Sequence, residues 1–139
     1  MHILTSILRV GAPGSHTDTA STGKGYTVGI GLNGQLNKEG YNIYGERRTS
    51  TSSGRMFENV VLCGHDEICS QIKKAHKMLS RFGIISWDFA VDENGEPILI
   101  EYNLNYPDVM IYQMNNGPLF GDLTQTVLED VREKLKKER

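Results

Sequence analysis

Two acidic side chains and one amide fall within a stretch of sequence that has the pattern of a β-hairpin. Asp88 lies in the run Ile-Ser-Trp-Asp-Phe-Ala-Val, and Glu101 and Asn103 lie in the later run Ile-Leu-Ile-Glu-Tyr-Asn. The dipeptide Asn94-Gly95 between the runs is typical of a two-residue turn, because both central residues of that turn need a positive φ. With Asn94 and Gly95 as the turn, counting back along both strands places Asp88 directly opposite Glu101.

The chemistry that this arrangement favours is the binding of a divalent cation. Side chains alternate between faces of a strand, so Asp88, Glu101 and Asn103 share one face, flanked by Ala90 and Leu99. Opposed carboxylates lie about 5.5 Å apart at Cβ and repel each other, so they need a proton, a basic partner or a cation. Oxygen ligands suit Mg²⁺ and Mn²⁺, and Mg²⁺ typically adds water and substrate phosphates to its shell. The alternative is an acidic strand face exposed to solvent.

The opposite face of the same hairpin is predicted to be apolar and to belong to the protein core. In this register it carries six side chains, namely those of Trp87, Phe89, Val91, Ile98, Ile100 and Tyr102. The hairpin is therefore expected to pack on the core with one face and to present the metal ligands on the other.

Apolar spacing predicts two helices elsewhere in the chain. Apolar residues recur at intervals of three and four up to Phe82, which indicates a helix that begins near Asp66 and ends at Gly83. A second helix is expected from Leu119 to about Lys137, where apolar residues are spaced by four.

The rest of the chain reads as strands and turns. Strands are expected at residues 3–10, 26–32 and 35–44, and Asn33-Gly34 is predicted to be a two-residue hairpin turn. Residues 104–118 are expected to be irregular. The fold class predicted from these elements is α+β, an antiparallel β-sheet with two main helices packed on one face, in a single domain of residues 1–139.

Composition narrows the classes of partner. The chain has 139 residues and a formal net charge of −2, which predicts no nucleic-acid partner. No apolar run approaches the roughly 18 residues of a membrane span, so no membrane span is expected. Cys63 and Cys69 do not form a disulfide framework, and a cytoplasmic location is the default expectation.

The hairpin residues resemble the metal-binding end of the ATP-grasp fold. The resemblance lies in the stretches 85–91 and 98–107, which carry an acidic residue on one strand and a Glu and an Asn, two apart, on the next. In that family these side chains hold two Mg²⁺ ions that bridge the phosphates of ATP. The resemblance implies that Asp88, Glu101 and Asn103 are the metal ligands, with Glu101 bridging both ions and Asn103 also counted among the nucleotide-binding residues.

Two further segments extend the resemblance towards the N-terminus. The run Ser-Ile-Leu-Arg-Val resembles the strand whose basic residue contacts the transferred phosphoryl group, which implies a catalytic and ATP-binding role for Arg9. Residues 14–30 resemble the substrate-side loop of the sugar-transfer-associated branch, also described as hexapeptide-transferase-related, in which an Asp and a small polar residue precede a Gly pair. Here Asp18-Thr19 precede Gly-Lys-Gly, and Lys24 between two glycines is a candidate anion ligand for the cofactor.

The function implied by the resemblance is ATP- and Mg²⁺-dependent ligation of a carboxylate to an amine through an acyl phosphate. The branch name suggests cell-envelope or surface-polysaccharide biosynthesis. This chain would be the C-terminal lobe, with the N-terminal lobe absent, so it could be inactive alone or could form a homodimer through its exposed face. Two alternatives stay open: a related Mg²⁺-dependent kinase, and a non-catalytic binding module that retains the acidic hairpin.

Other polar residues have simpler interpretations. A zinc site of Cys63, His65, Cys69 and His76 is disfavoured, since its spacing matches no common zinc pattern. The pair Arg47-Arg48 could bind a phosphate or a carboxylate substrate, although an exposed loop is favoured. His16 could act in acid–base chemistry, but an exposed loop histidine is the favoured interpretation.

Overall fold

The computed structural model describes residues 1–15, 23–105 and 108–137. In these ranges the chain is α+β with antiparallel sheets, which confirms the predicted fold class. The strands are β1 (Ile7–Val10), β2 (Tyr26–Ile30), β3 (Leu36–Tyr41), β4 (Arg47–Arg48), β5 (Ser86–Val91) and β6 (Pro97–Asn103). The helices are α1 (His65–Met78), α2 (Met110–Asn116) and α3 (Thr124–Lys137), and short 3₁₀ turns occupy Phe57–Asn59 and Gly121–Leu123.

The strands form two separate sheets. Strands β1 to β4 follow one another in sequence order in one antiparallel sheet, and β5 and β6 pair only with each other. Both sheets are built from neighbouring segments, because each described pairing joins strands that are consecutive in the chain. The candidate site therefore has to be assembled across two sheets.

The core lies on the larger sheet. Val28, Leu36 and Phe57 are buried together and are surrounded by half-buried apolar side chains. The predicted core role of the β5–β6 hairpin is wrong for β6: Ile100 is 62% exposed and Tyr102 is 47% exposed. The alternation of apolar and polar residues along a strand identifies an apolar face, but it does not show whether another helix or strand covers that face.

The helix boundaries differ from the predicted ones at both ends. Helix α1 begins at His65 after a left-handed Gly64 and ends at Met78, well before Gly83. Helix α3 begins at Thr124 rather than at Leu119, because a 3₁₀ turn precedes it. Among the described residues, no helix has the length and apolar content needed to cross a membrane.

Helix α2 lies in the segment that was expected to be irregular. Asparagine side chains dock it on the larger sheet: Asn115 Nδ2 donates to Thr27 Oγ1 at 2.7 Å, and Asn37 Nδ2 donates to the Asn115 carbonyl at 2.8 Å. Asn116 Nδ2 also donates to the Ser6 carbonyl at 2.9 Å. A helix of seven residues has little intrinsic stability, so these tertiary hydrogen bonds account for its formation.

The replacement Gly29→Ala tests this docking. A Cβ on Gly29 would overlap the side-chain amides of Asn116 and Asn37 and lie 2.9 Å from the Asn115 carbonyl oxygen. We expect the free energy of unfolding in urea to fall by about 1–3 kcal/mol. Gly83→Ala is the matched control, since a Cβ there meets nothing within 4 Å; an equal loss in both variants would contradict the docking.

Candidate metal centre

The turn of the β5–β6 hairpin is one residue longer than predicted. Gly95 N donates to the Asp92 carbonyl at 3.1 Å, and Asp92 N donates to the Glu96 carbonyl at 2.9 Å. The loop therefore consists of Glu93, Asn94 and Gly95, with Gly95 in the left-handed region at φ 87°. The prediction of a two-residue Asn94-Gly95 turn is therefore wrong. A two-residue turn of the predicted type needs two residues with positive φ, whereas a three-residue turn needs one, which Gly95 provides.

A second irregularity restores the predicted pairing at the site. Near the turn Phe89 pairs with Leu99, one residue away from the predicted register, but the register then shifts so that Asp88 pairs with Glu101. Ile100 is the extra residue of this β-bulge in β6. The two one-residue changes cancel, and the predicted pairing of Asp88 with Glu101 is confirmed.

The bulge also changes which apolar residue flanks the acidic face. Ala90 pairs with Ile98, and directly paired residues share a face, so Ile98 rather than Leu99 lies beside the carboxylates. On the opposite face Trp87 pairs with Tyr102, and their ring centroids lie 5.4 Å apart. This aromatic contact stabilises the register at the far side of the bulge.

Four of the five residues predicted to bind metal or phosphate form a connected group, and Lys24 is the exception. Arg9 Nη2 of β1 lies 3.6 Å from Asp88 Oδ2 of β5, so this ion pair spans the two sheets. Asp88 pairs with Glu101 across the hairpin, and Asn103 Nδ2 donates to Glu101 Oε1 at 3.3 Å. The Asp88 side chain is 24% exposed, whereas Glu101 and Asn103 lie at the surface. The Asp88 end of the group is therefore half-buried and paired with Arg9, whereas the Glu101 and Asn103 end is open to solvent.

Helix α2 contacts both sheets. Tyr112 Oη lies 2.8 Å from Ser86 Oγ, two residues before Asp88 on the same strand. The same helix is docked on the larger sheet that carries Arg9. Sequence reasoning did not identify Ser86 or its contact with Tyr112, although its spacing of two from Asp88 places Ser86 on the acidic face.

A cavity of about 620 Å³ opens next to the Arg9–Asp88 pair. It lies between the N-terminal segment, helix α1 and strand β5, and Arg9 and Asp88 are both part of its wall. Much of the remaining wall is apolar, with Leu8, Ile72 and Trp87 among its side chains. Its volume is in the range of small-molecule sites, about 300–1,000 Å³.

Lys24 occupies a different concavity. It lies with Tyr26, Glu46 and Arg48 around a space of about 500 Å³ that is open to solvent. Within the described ranges, the wall of this space includes neither Arg9 nor any of the three predicted metal ligands. The structure therefore separates Lys24 from the group around Asp88.

The other polar candidates do not assemble into a site. His65 Nε2 lies 3.8 Å from Cys69 Sγ one helical turn away, and burial raises the pKa of the Cys69 thiol, which keeps it protonated at neutral pH. In the part of the chain that the structure covers, no three His, Cys, Asp or Glu side chains cluster as a metal site, so the zinc interpretation is not supported. His16 and Asp18-Thr19 lie outside the described residues.

Asp92 gives the hairpin turn a testable dependence on pH. Its Oδ1 accepts backbone N–H bonds from Glu96 and Asn94, both at 2.8 Å, and these bonds lower the pKa of the Asp92 carboxyl. The stabilisation is present above the unfolded-state pKa of about 3.9 and is lost as the pH falls through the lower folded-state pKa. We expect Asp92→Ala to lower the urea midpoint at pH 7.

The difference between the wild type and Asp92→Ala should shrink as the pH falls from about 5 to about 3. Glu93→Ala in the same loop is the control, because the Glu93 side chain makes no hydrogen bond to the described residues. A difference that stays constant over this pH range would show that the Asp92 carboxylate does not hold the turn.

Comparison with known proteins agrees with the resemblance of the hairpin. A family model described as sugar-transfer associated ATP-grasp matches residues 1–128, which include Arg9 and all three predicted metal ligands. No curated protein and no solved structure gave a match. The family generally uses ATP and Mg²⁺, and membership indicates an ATP-dependent function of the ligase type. Since the match covers most of the 139 residues, the chain belongs to the sugar-transfer-associated ATP-grasp family.

Proposed function

We propose that Asp88, Glu101 and Asn103 bind Mg²⁺ together with the phosphates of ATP, in an ATP-dependent carboxylate ligase. The observation that carries this proposal is the connected group described above, in which Arg9 reaches Asp88 from the other sheet at 3.6 Å. The chain supplies the metal-binding C-terminal lobe in this proposal. Its reaction takes place in the cytoplasm, where ATP is available, and serves the assembly of cell-envelope or surface polysaccharide.

The side chains present fit a Mg²⁺–nucleotide site. Mg²⁺ in such sites takes one or two carboxylates and keeps positions for water and substrate phosphates. Asp88 and Glu101 supply two carboxylates from opposed strand positions, and Asn103 uses its Nδ2 towards Glu101, which leaves its amide oxygen for a cation. The exposure of Glu101 and Asn103 leaves room for the phosphates. The bound metal would neutralise charge on the phosphate oxygens.

Arg9 is suited to contact the transferred phosphoryl group. Its guanidinium remains charged at all physiological pH values and presents a planar fork that matches phosphate oxygens. Its side chain is 40% exposed, and partly exposed ion pairs of this kind contribute little to stability. In this proposal Arg9 contacts a phosphate oxygen, and a metal cation balances the Asp88 carboxylate.

The reaction needs positioned charges rather than a nucleophilic side chain. A substrate carboxylate oxygen attacks the γ-phosphorus, the bond to the ADP oxygen breaks, and an acyl phosphate forms. An amine then attacks the acyl carbon, loses a proton and displaces phosphate. The cavity beside Arg9 and Asp88 has room for the carboxylate substrate. Arg9 would stabilise the negative charge that develops on the transferred oxygens.

The proposal predicts metal binding that depends on Glu101. We expect calorimetric titration with Mn²⁺ to show binding that strengthens when ADP is present, because the phosphates complete the coordination shell. Glu101→Gln should weaken Mn²⁺ binding at least about tenfold, since it removes one charged ligand. Glu96→Gln on the same hairpin is the control and should bind as the wild type does. Equal binding by Glu101→Gln and the wild type would contradict the assignment.

A second prediction concerns Arg9. In a thermal-shift assay, Mg·ADP with aluminium fluoride, which mimics the transferred phosphoryl group, should stabilise the wild type more than Mg·ADP alone. Arg9→Gln should lose this additional shift and keep the shift from Mg·ADP, because Arg9 contacts the transferred group and not the metal. Arg81→Gln, an exposed arginine that lies against the Phe82 ring, is the control. An unchanged fluoride-dependent shift in Arg9→Gln would contradict the role.

A further inference from the structure

We propose that Lys24 and Arg48 form an anion-binding site, separate from the metal centre, that holds a carboxylate or phosphate group of a substrate. The site is the concavity of about 500 Å³ at one end of the larger sheet. Its wall consists of Ala12, Pro13, Gly23, Lys24, Tyr26, Glu46 and Arg48. The description of the anion as part of a substrate rests on the proposed ligase function, whereas anion binding itself does not.

The cations of this site are available to a ligand. Within the described ranges, neither Lys24 nor Arg48 makes an ion pair with a carboxylate. Arg48 lies over the Tyr26 ring, with its guanidinium carbon 4.6 Å from the ring centroid. Stacking of this kind orients a guanidinium and leaves its N–H groups free to donate at the edge. The neighbouring Arg47, by contrast, is paired with Glu39 at 3.0 Å.

A buried asparagine holds the wall in place. Asn42 is 2% exposed, and its Nδ2 donates to the Gly23 carbonyl at 3.2 Å and to Glu46 Oε2 at 2.6 Å. Its Oδ1 accepts the backbone N–H groups of Tyr44 and Glu46 at 3.0 and 2.9 Å. One buried side chain thus joins the segment that carries Lys24 to the turn that leads to Arg48.

The packing of Gly23 supports the same conclusion. Its backbone lies so close to the Tyr44 ring that a Cβ would overlap the ring, and its φ is 71°. A glycine meets both requirements, since it has no Cβ and adopts positive φ readily. Lys24 follows directly, so this close approach determines where its side chain leaves the backbone.

The charges of the site favour an oxyanion. Lys24 and Arg48 contribute two positive charges, and Glu46 contributes one negative charge that already accepts the Asn42 amide. The remaining positive charge is balanced by a carboxylate or a phosphate. Arginine supplies a planar fork for two oxygens and lysine a point charge, a combination that suits either group.

The site lies near the end of the pair of strands that carries Arg9. Val10 pairs with Tyr26, which lines the site, and Arg9 pairs with Thr27, the next position on the same pair of strands. Ala12, on the wall, follows Arg9 by three residues, which is at most about 10 Å along an extended chain.

The test uses inorganic phosphate and acetate as probes, titrated into metal-free protein and followed by amide NMR signals. We expect saturable shifts at the concavity and a dissociation constant for the tighter probe that rises at least about tenfold in Lys24→Gln and in Arg48→Gln. Arg47→Gln is the matched control and should bind as the wild type does. Tighter phosphate binding would indicate a phosphorylated substrate, and tighter acetate binding a carboxylate; both support the site.

Three results would overturn the proposal. The first is no saturable binding of either probe, and the second is an equal loss in Arg47→Gln, which would indicate only general surface charge. The third is a loss of Mn²⁺·ADP binding in Lys24→Gln and Arg48→Gln, which would place both cations in the nucleotide site. If the wild type binds phosphate but not Mn²⁺·ADP, the metal proposal fails and the anion site stands.

Discussion

The pairing of Asp88 with Glu101 across the β5–β6 hairpin is the constraint on which the candidate site depends. Two carboxylates on opposed strand positions repel each other unless a cation or a hydrogen-bond donor lies beside them. Here Arg9 approaches one carboxylate at 3.6 Å, and the Asn103 amide donates to the other at 3.3 Å. Repulsion between opposed carboxylates would destabilise a hairpin that has no positive charge beside them. The same two carboxylates are suitable ligands for a divalent cation.

The scaffold keeps the two halves of this group together even though they belong to different sheets. Helix α2 is docked on the larger sheet through asparagine amides, and its Tyr112 hydroxyl contacts Ser86 of the hairpin. The position of Arg9 relative to Asp88 therefore depends on a short helix that is held by tertiary hydrogen bonds.

The sequence was sufficient to predict that Asp88 and Glu101 face each other, but not the backbone that brings them together. The Asp88–Glu101 pairing was predicted from a turn of the wrong length, and it holds because the bulge at Ile100 compensates for the extra loop residue. Helix α2 was missed because its stability comes from distant partners rather than from apolar periodicity. The separation of Lys24 from Arg9 likewise depends on tertiary packing, which spacing along the chain does not reveal.

Paramagnetic broadening tests the central claim most directly. Mn²⁺ bound to the proposed ligands would broaden nearby amide signals in a ¹H–¹⁵N spectrum, with an effect that falls steeply with distance. The account predicts that substoichiometric Mn²⁺ removes the signals of Asp88, Glu101, Asn103 and Arg9 first, and leaves those around Lys24 sharp. Broadening that begins at other acidic residues, such as those of helix α3, while the hairpin signals persist would contradict the metal site.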